Sequence, residues 1–420
     1  MTTVAYLANR FPAAVEPYVG DEIRELEQRG VSVIAGSVRK PDAARRESER
    51  EVLCVEPIRI LTLLRSVVLM VSRWDRISCL ITHVLSQGKE SPMRRLKALL
   101  HTWLGACYAV QLRSRGVDHI HVHHGYFGSW IAMVAARLLG ATFSLTLHGS
   151  DLLLDGNYLE TKLKHCNFCA TISEYNRRYI LDHFAAFDAD KIIVSRLGVD
   201  VPEERFLCSL PPANGVRRSF FILAVGRLHA VKNHAFLIRA CGRLRDDRLD
   251  FKCAIAGEGP ERQSLELLIQ KNRLHNHIAL LGHVARPHMD SLYRKADLVV
   301  LTSHSEGLPL VLMEAMARSK VVLAPAITGI PEIVVGGKTG FLYAPGEMDD
   351  FVARILFIEQ LMRRQNGAVT RLEWIQHAAR VQVIRNFSRE PNLTYFSNQF
   401  LKLTASDRRS PHEDLVLQQI

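Results

Sequence analysis

The sequence lacks the features that would place it outside ordinary globular proteins. Only eight of its 420 residues are cysteine, too few for a disulfide scaffold of this length. It has no unbroken apolar run of about 18 residues, so we expect no membrane-spanning helix. The opening MTTVAYLANRFP lacks the basic and then apolar layout of a signal peptide. We therefore expect a cytoplasmic protein with reduced thiols.

Acidic residues are scarce in residues 57–115. This segment holds ten Lys and Arg against only Asp75 and Glu90, and apolar stretches such as IRILTLLRSVVLMVSRW separate the charges. Such a segment can bind an anionic membrane surface, or it can be a surface helix whose arginine stems cover apolar neighbours. The first alternative predicts a peripheral protein at the inner face of the plasma membrane. No recognition motif or arginine–aromatic interleaving supports nucleic-acid binding, and we predict none.

Strand-like and helix-like segments alternate along the whole chain. Apolar runs such as Val4–Leu7 and Phe220–Val225 are followed by amphipathic stretches, a pattern typical of parallel sheets with helices on both faces. The stretch Cys208–Ser219 contains Pro-Pro and Gly and indicates an interdomain linker. We predict an α/β protein of two doubly wound, Rossmann-like domains, residues 1–207 and 219–385. Ligands of such folds bind at the carboxyl ends of the strands, here in the cleft between the domains.

Two motifs in the second half follow predicted strands and suit a phosphate ligand. Gly226 and Arg227 end one strand, and Lys232 follows on the same loop. Arginine as a fork and lysine as a point charge could clamp a diphosphate. Gly257 and Gly259 follow the next strand, where they either let a ligand approach the backbone or form a plain strand–helix turn.

A third motif, SHSEGLPLVLMEA, carries two glutamates eight residues apart. Glu306 precedes a predicted helix that Gly307, Leu308, Pro309 and Leu310 open, and a helix N-terminus favours an anion. Glu314 lies about two turns later among apolar residues, where an unpaired carboxylate costs free energy. It could accept hydrogen bonds from both hydroxyls of a ribose. The alternative is a salt-bridged core glutamate.

Taken together, these motifs resemble the retaining family 4 glycosyltransferases of the GT-B fold. In the first half, Thr146–Asp151 is similar to the family's H-G-x-D loop, and ISE at residues 172–174 to its I-S-E strand end. Phe11-Pro12, followed by Glu16 and later by EI at residues 22–23, is similar to the opening of exopolysaccharide (colanic-acid-type) transferases. The resemblance spans about residues 3–345.

The resemblance implies a role for each motif in binding a nucleotide-diphosphate sugar. Arg227 and Lys232 bind the diphosphate and stabilise the leaving nucleotide, so that no metal and no other cofactor is required. Glu314 holds the ribose, and Glu306 holds the donor sugar together with the backbone of residues 307–310. The remaining donor-binding positions are those beside the phosphates and the base: Gly226, Gly257, Gly259, His283 and Val284.

Histidines are dense near the end of the predicted strand Ile120–Val122. Alternate residues of a strand share a face, so three of His119, His121, His123 and His124 could coordinate zinc. The family carries a similar strand end without metal, and we predict no metal site. The resemblance instead places four residues on the acceptor side, namely Glu16, His123, His124 and Asp151, and it places His148 beside the anomeric centre as a catalytic residue.

These expectations define a retaining, metal-independent hexosyltransferase. The predicted acceptor is a polyprenyl-diphosphate-linked saccharide, in the biosynthesis of exopolysaccharide or another cell-surface polysaccharide. The resemblance also implies that the first domain binds the acceptor and that a final helix, about 388–403, packs back on it. Two alternatives stay open: a soluble GT-B transferase for a small acceptor such as a sugar phosphate, and a catalytically inactive GT-B binding subunit.

Overall fold

The computed structural model describes residues 2–13, 16–40, 51–87, 90–154, 156–184, 187–203, 218–363 and 371–406. Most of the predicted linker Cys208–Ser219 lies outside these ranges. The chain forms two compact units, one made of Met1–Ser195 with Leu393–Ile420 and the other of Arg196–Asn392. Each unit has its own parallel sheet and its own apolar core.

The first unit contains a seven-stranded sheet in which every neighbouring pair is parallel, in the order β3-β2-β1-β4-β5-β6-β7. Its strands are β1 (Thr3–Arg10), β2 (Ser32–Arg39), β3 (Val52–Cys54), β4 (His119–His123), β5 (Thr142–Leu147), β6 (Phe168–Thr171) and β7 (Ile192–Val194). Strands of this kind are covered by helices on both faces, which explains why residues 4–8 of β1 are all buried.

Helices of the first unit follow the strands in the predicted alternation. They are α1 (Pro17–Gln28), α2 (Ile60–Ser72), α3 (Trp74–Thr82), α4 (Pro92–Leu112), α5 (Phe127–Leu139), α6 (Ser150–Leu153), α7 (Leu159–His165) and α8 (Glu174–His183), with a π-helical turn at His83–Gln87. Helices α4 and α5 pack closely because Gly105 has no side chain, and a Cβ there would lie 2.7 Å from Val134 Cβ. The buried Trp130 indole donates to Thr102 at 2.9 Å across the same contact.

The second unit contains a six-stranded sheet, again parallel throughout, in the order β10-β9-β8-β11-β12-β13. Its strands are β8 (Phe220–Val225), β9 (Phe251–Ala256), β10 (Ile278–Gly282), β11 (Leu298–Val300), β12 (Val321–Pro325) and β13 (Phe341–Tyr343). Because all six run the same way, their carboxyl ends lie at one edge of the sheet. Strands β10, β9, β8 and β11, which precede the predicted donor motifs, are consecutive there.

Helices of the second unit alternate with these strands along the chain. They are α9 (His234–Asp246), α10 (Arg262–Lys271), α11 (Arg286–Lys295), α12 (Leu310–Ala317), α13 (Ile330–Ile333), α14 (Met348–Arg363) and α15 (Arg371–Asn386), and the last helix is α16 (Arg389–Ser406). From Leu393 onwards α16 belongs to the first unit, where Phe396 and Phe400 join a buried cluster with Tyr6 and Phe168. Among the described residues, no helix combines the length and the apolar character needed to cross a bilayer.

Candidate functional site

The predicted donor residues come together at the carboxyl edge of the second sheet. Gly226 to Lys232 follow β8, residues 257–259 follow β9, His283 and Val284 follow β10, and Glu306 follows β11. These four strands are adjacent in the sheet although they are far apart in the sequence. The sequence motifs therefore form one cluster in space, which is the second-unit site.

An ion pair between Lys232 and Glu306 lies at the centre of the second-unit site. Lys232 ends a short 3₁₀ turn after β8, and its Nζ lies 2.5 Å from Glu306 Oε1. The Ser303 hydroxyl donates to the same oxygen at 2.5 Å. The Glu306 side chain is 9% exposed and that of Lys232 is 21% exposed. An ammonium has three donors, so Lys232 can hold this carboxylate and still offer a hydrogen bond to an anion.

Backbone contacts join the loops that carry this pair. The Thr302 hydroxyl donates to the Lys232 carbonyl at 3.1 Å, and the His304 amide donates to the Val231 carbonyl at 2.8 Å. The Thr328 hydroxyl also donates to the Glu306 carbonyl. These hydrogen bonds hold the loops after β8 and β11 in a fixed position relative to each other. They therefore also fix the positions of both charged side chains.

Because Gly257 and Gly259 have no side chain, the loop after β8 can lie directly against their backbone. A Cβ at Gly257, where φ is +153°, would lie 1.9 Å from the Gly226 carbonyl oxygen. A Cβ at Gly259 would lie 2.3 Å from the Leu228 carbonyl oxygen. The close contact between the two loops therefore explains both glycines, and their contact with a donor stays a prediction.

Glu314 borders an open cavity. It lies on α12, and its Oε2 accepts a hydrogen bond from the buried Tyr293 hydroxyl on α11 at 2.8 Å. The cavity, of about 260 Å³, is also lined by Arg286 and Arg318. Burial and the neighbouring Glu314 charge raise the pKa of Tyr293 well above its usual value, so this hydroxyl is a donor. The half-buried carboxylate keeps acceptor capacity that faces the cavity.

The other predicted donor positions differ in exposure. Arg227 and His283 are exposed, while Val284 and Gly307 are half-buried. Leu308 and Pro309 are buried, and Pro309 is the residue before α12, which begins at Leu310 as the sequence predicts. The roles of these residues and of Gly226 in donor binding stay predictions. Donor binding by the cluster as a whole also stays a prediction.

In the first unit, the histidine cluster separates into two groups. His119 and His121 point at the hydroxyls of β5, with ring nitrogens 2.6–3.0 Å from Thr142, Ser144 and Thr146. Burial lowers the pKa of His119 to about 3 and that of His121 well below its usual value. These two are neutral core residues. His123 and His124 lie at the carboxyl end of β4, beside the loop that carries His148.

His123 bridges Glu22 and His148. Its Nε2 lies 3.1 Å from Glu22 Oε2, and its Nδ1 lies 2.9 Å from His148 Nε2. The Tyr6 hydroxyl donates to the same Glu22 oxygen at 2.5 Å. The Tyr18 ring stacks on that of His148 with centroids 4.8 Å apart. The structure thus ties the predicted catalytic histidine to three elements of the first unit.

His124 lies between two of the predicted acceptor-side carboxylates. Its Nε2 is 3.1 Å from Glu16 Oε1, and its Nδ1 is 3.6 Å from Asp151 Oδ2. Burial disfavours the cation, but these two carboxylates outweigh it and raise the pKa of His124 to about 10. The His124 ring is 4.4 Å from that of His148, and burial together with this positive charge lowers the pKa of His148 well below its usual value.

Asp151 shapes the H-G-x-D loop. Its carboxylate accepts from the backbone amides of Gly125, His148 and Gly149 at 2.7–3.2 Å and is fully buried. Burial opposes its charge, yet the hydrogen bond and charge of His124 hold the pKa of Asp151 below its ordinary range. The observed contacts are with the loop itself, and a contact with an acceptor stays a prediction.

A metal could in principle use one group of these side chains. Ligand atoms of Glu22, His121 and His123 lie within 4.8 Å of one another, and all three residues are buried. Each of these ring nitrogens already faces a hydroxyl, a carboxylate or another ring. Histidine nitrogens and a carboxylate oxygen are ligands that suit zinc. The contacts observed here are instead those of a hydrogen-bonded core. The expected absence of a metal stays a prediction.

Sequence reasoning missed several residues of these sites. Ser303 lies three residues before Glu306 and could have been noticed as its hydroxyl partner. Tyr293 carries no signal, because it contacts Glu314 from another helix. Glu22 contributed to the family resemblance but was given no role.

Two family models together match most of the chain. Residues 15–203 match the family model described as Glycosyltransferase Family 4, and residues 212–372 match Glycosyl transferases group 1. An uncharacterized glycosyltransferase of Methanocaldococcus jannaschii is 31% identical over 255 residues, which is 58% of this chain and 66% of that protein. WcaL of Escherichia coli, provisionally named a colanic acid biosynthesis glycosyltransferase, is 30% identical over 203 residues, 46% of this chain and 49% of WcaL.

A solved structure shows the same fold. The structure of HepE from Anabaena in complex with UDP and glucose has a TM-score of 0.68 and 18% identity, covering 95% of this chain and 99% of that chain. The chain has the two-domain GT-B fold, and its two halves are similar to a family 4 glycosyltransferase domain and a group 1 glycosyltransferase domain. The matched region is about half to two thirds of the length of the two relatives above.

Proposed function

We propose that the chain is a retaining, metal-independent hexosyltransferase that uses a nucleotide-diphosphate sugar. The observation that carries this proposal is the second-unit site, where Lys232 and Glu306 lie at the carboxyl ends of adjacent strands and Glu314 lies on the helix that follows. Arg227 and Lys232 bind the diphosphate, and Glu314 binds the ribose in the cavity that it borders. The UDP and glucose in the HepE structure support a donor of this class.

In this proposal, catalysis is electrostatic. Negative charge develops on the departing phosphate, and Arg227, Lys232 and the start of α12 stabilise it. Arg227 and Lys232 supply the positive charge that a divalent metal ion supplies in metal-dependent active sites. We therefore expect EDTA to leave the rate of transfer unchanged. Glu306 orients the Lys232 ammonium and contacts the donor sugar, and His148 is the residue of the first unit that contacts the transferred sugar.

A donor screen tests the proposal. The protein would be incubated with UDP-, GDP- and ADP-sugars, and both thermal stabilisation and slow release of nucleotide would be measured. We expect both effects with one nucleotide class, their loss in Glu314→Ala, and their retention in the control Glu266→Ala on the exposed face of α10. No effect of any donor in the presence of a saccharide acceptor would instead favour the catalytically inactive binding subunit.

We further propose a lipid-linked saccharide acceptor and a peripheral position on an anionic bilayer. Helix α2 exposes most of its apolar side chains, including Ile60, Leu64, Val68 and Val71, while only Ser66 and Leu69 are buried. Arg59, Arg65 and Arg73 are exposed at or near the same helix. Apolar side chains can enter the lipid while arginines reach the head groups. The likeness to WcaL supports a surface polysaccharide as the product.

A soluble transferase for a small acceptor is the second candidate. The apolar surface of α2 argues against it, since soluble monomers rarely expose so many adjacent apolar side chains. Equal rates with a free saccharide and with the same saccharide linked to polyprenyl diphosphate would favour this second candidate.

A further inference from the structure

A line of hydrogen bonds connects the interior of the first unit to His148. It runs from the Tyr6 hydroxyl to Glu22 Oε2, from Glu22 to His123 Nε2, and from His123 Nδ1 to His148 Nε2. Glu22 lies on α1, His123 at the end of β4, and His148 directly after β5. With Tyr6 on β1, four separate elements thus meet in one buried line.

Assigning donors and acceptors along this line shows which ring nitrogens carry a hydrogen. A carboxylate only accepts hydrogen bonds, so the His123 nitrogen that faces Glu22 carries the hydrogen. When His123 is neutral its other nitrogen is an acceptor, and His123 Nδ1 then accepts from His148 Nε2. His148 therefore carries its hydrogen on Nε2, and its Nδ1 has the free lone pair.

We propose that Glu22, acting through His123, is a positioning residue that holds His148 in the Nε2–H tautomer with Nδ1 as its hydrogen-bond acceptor. The proposal rests on the proposed function, in which His148 contacts the transferred sugar. There, a bare Nδ1 accepts a hydrogen bond from a sugar hydroxyl, whereas the opposite tautomer would present a donor to it. Glu22 and His123 act on His148 and not on the substrate.

The surroundings of His148 leave its ring little freedom. Tyr18 stacks on it at 4.8 Å, the His124 ring lies at 4.4 Å, and the residue is only 9% exposed. The positive charge of His124 also disfavours a second cation on His148. With the ring fixed and neutral, the choice between its two tautomers is decided by the hydrogen bond to His123.

Nitrogen NMR of the full chain labelled with ¹⁵N-histidine reads this tautomer without any substrate. Spectra would be recorded above pH ~8, well beyond the ordinary histidine pKa of ~6.5, and His148→Asn would assign the signals. We expect a protonated Nε2 and an unprotonated Nδ1 at His148. A protonated Nδ1 in the parent protein would overturn the proposal, and so would stoichiometric zinc bound through His123.

Variants of α1 separate positioning from general stability. Glu22→Met keeps the side-chain length but removes the acceptor, so we expect the His148 tautomer to become mixed, while Glu25→Gln on the same helix leaves it unchanged. In turnover assays, Glu22→Met should lower kcat about 10- to 100-fold with the donor Kd kept within about 2-fold, and Glu22→Gln should recover part of the loss. An unchanged tautomer and kcat in Glu22→Met would contradict the proposal. An inactive parent protein with the expected tautomer would contradict the proposed function instead.

Discussion

His124 shows how single side chains set the electrostatics of the first unit. Its pKa of about 10 in the folded protein compares with an ordinary value of ~6.5. Because the folded state binds this proton more tightly, the stabilisation is fully present below pH ~6.5. It is lost as the pH rises through about 10.

The tighter proton binding of the folded state predicts how the unfolding free energy of one variant depends on pH. His124→Asn should lower the free energy of unfolding most near pH 6.5, and the difference from the parent protein should shrink as the pH approaches about 10. Urea denaturation followed by tryptophan fluorescence measures it, since Trp103 and Trp130 lie in the first unit. A difference in unfolding free energy that stays constant between pH ~6.5 and about 10 would refute the assignment.

Lys162 is a second residue whose effect can be predicted. Its buried ammonium donates to the carbonyls of Gly125 and Asn157, both at 2.6 Å, and to that of Tyr126 at 3.1 Å. Lys162→Met leaves these buried carbonyls without that donor and should cost about 3 kcal/mol of unfolding free energy. The exposed Lys164 on the same helix provides the control, and Lys164→Met should change stability little. A similar loss in both variants would be inconsistent with this account.

The sequence anticipated the chemical types at the candidate sites better than their contacts. Lys232, Glu306 and Glu314 could be singled out because charged residues next to apolar runs must lie at strand ends or on partly buried helices. The partner Tyr293 could not, because a hydrogen bond between two helices leaves no spacing in the sequence, whereas Ser303 was overlooked although it lies three residues before Glu306. The histidines of β4 were recognised as a group, but only the pairing with β5 separates core from site.

At the scale of the elements, apolar runs and their alternation predicted most helices and strands within a few residues. The predicted helix Ser129–Leu139, for example, corresponds to Phe127–Leu139. The close approach of the loops after β8 and β9 could not be predicted, because it depends on how two strands are placed side by side. Gly257 and Gly259 are explained by that contact.

A pair of glycine substitutions tests this packing. Gly259→Ala would place a Cβ 2.3 Å from the Leu228 carbonyl oxygen, so the backbone must shift and the second unit should be destabilised by several kcal/mol. A Cβ at Gly242 in α9 meets no atom within 4 Å, and Gly242→Ala should stabilise by about 0.5–1 kcal/mol. Chemical denaturation measures both, and equal effects would contradict the packing described for the loops.

At the scale of the whole molecule, alternation of strands and helices predicted two parallel α/β units, and the structure contains them. The sequence predicted residues 57–115 as a basic segment with apolar stretches between its charges, and in the structure α2 exposes most of its apolar side chains. Sequence periodicity could not tell which side of α2 packs on α4, because apolar residues occur around most of the helix.

This surface gives a prediction for membrane binding. The parent protein should bind vesicles containing anionic lipid more tightly than neutral vesicles, and added salt should weaken the binding. Replacing Leu64, Val68 and Val71 together by Ser should reduce binding at least about 10-fold, since each removes apolar area from the lipid. Leu267→Ser, at an exposed position of α10, should have no effect. Equal and negligible binding of the parent protein to both vesicles would exclude this part of the proposal.

The central claim is that the cluster at the carboxyl ends of β8 to β11 transfers a sugar from a nucleotide donor. The most direct test is the rate of transfer by Lys232→Ala, with the exposed Lys271→Ala on α10 as its matched control and circular dichroism as the check of folding. Loss of the ammonium 2.5 Å from Glu306 removes the charge that would stabilise the leaving diphosphate. We predict that Lys232→Ala abolishes transfer while the fold and the control variant are unchanged. Transfer by Lys232→Ala within a few-fold of the parent rate would contradict the site.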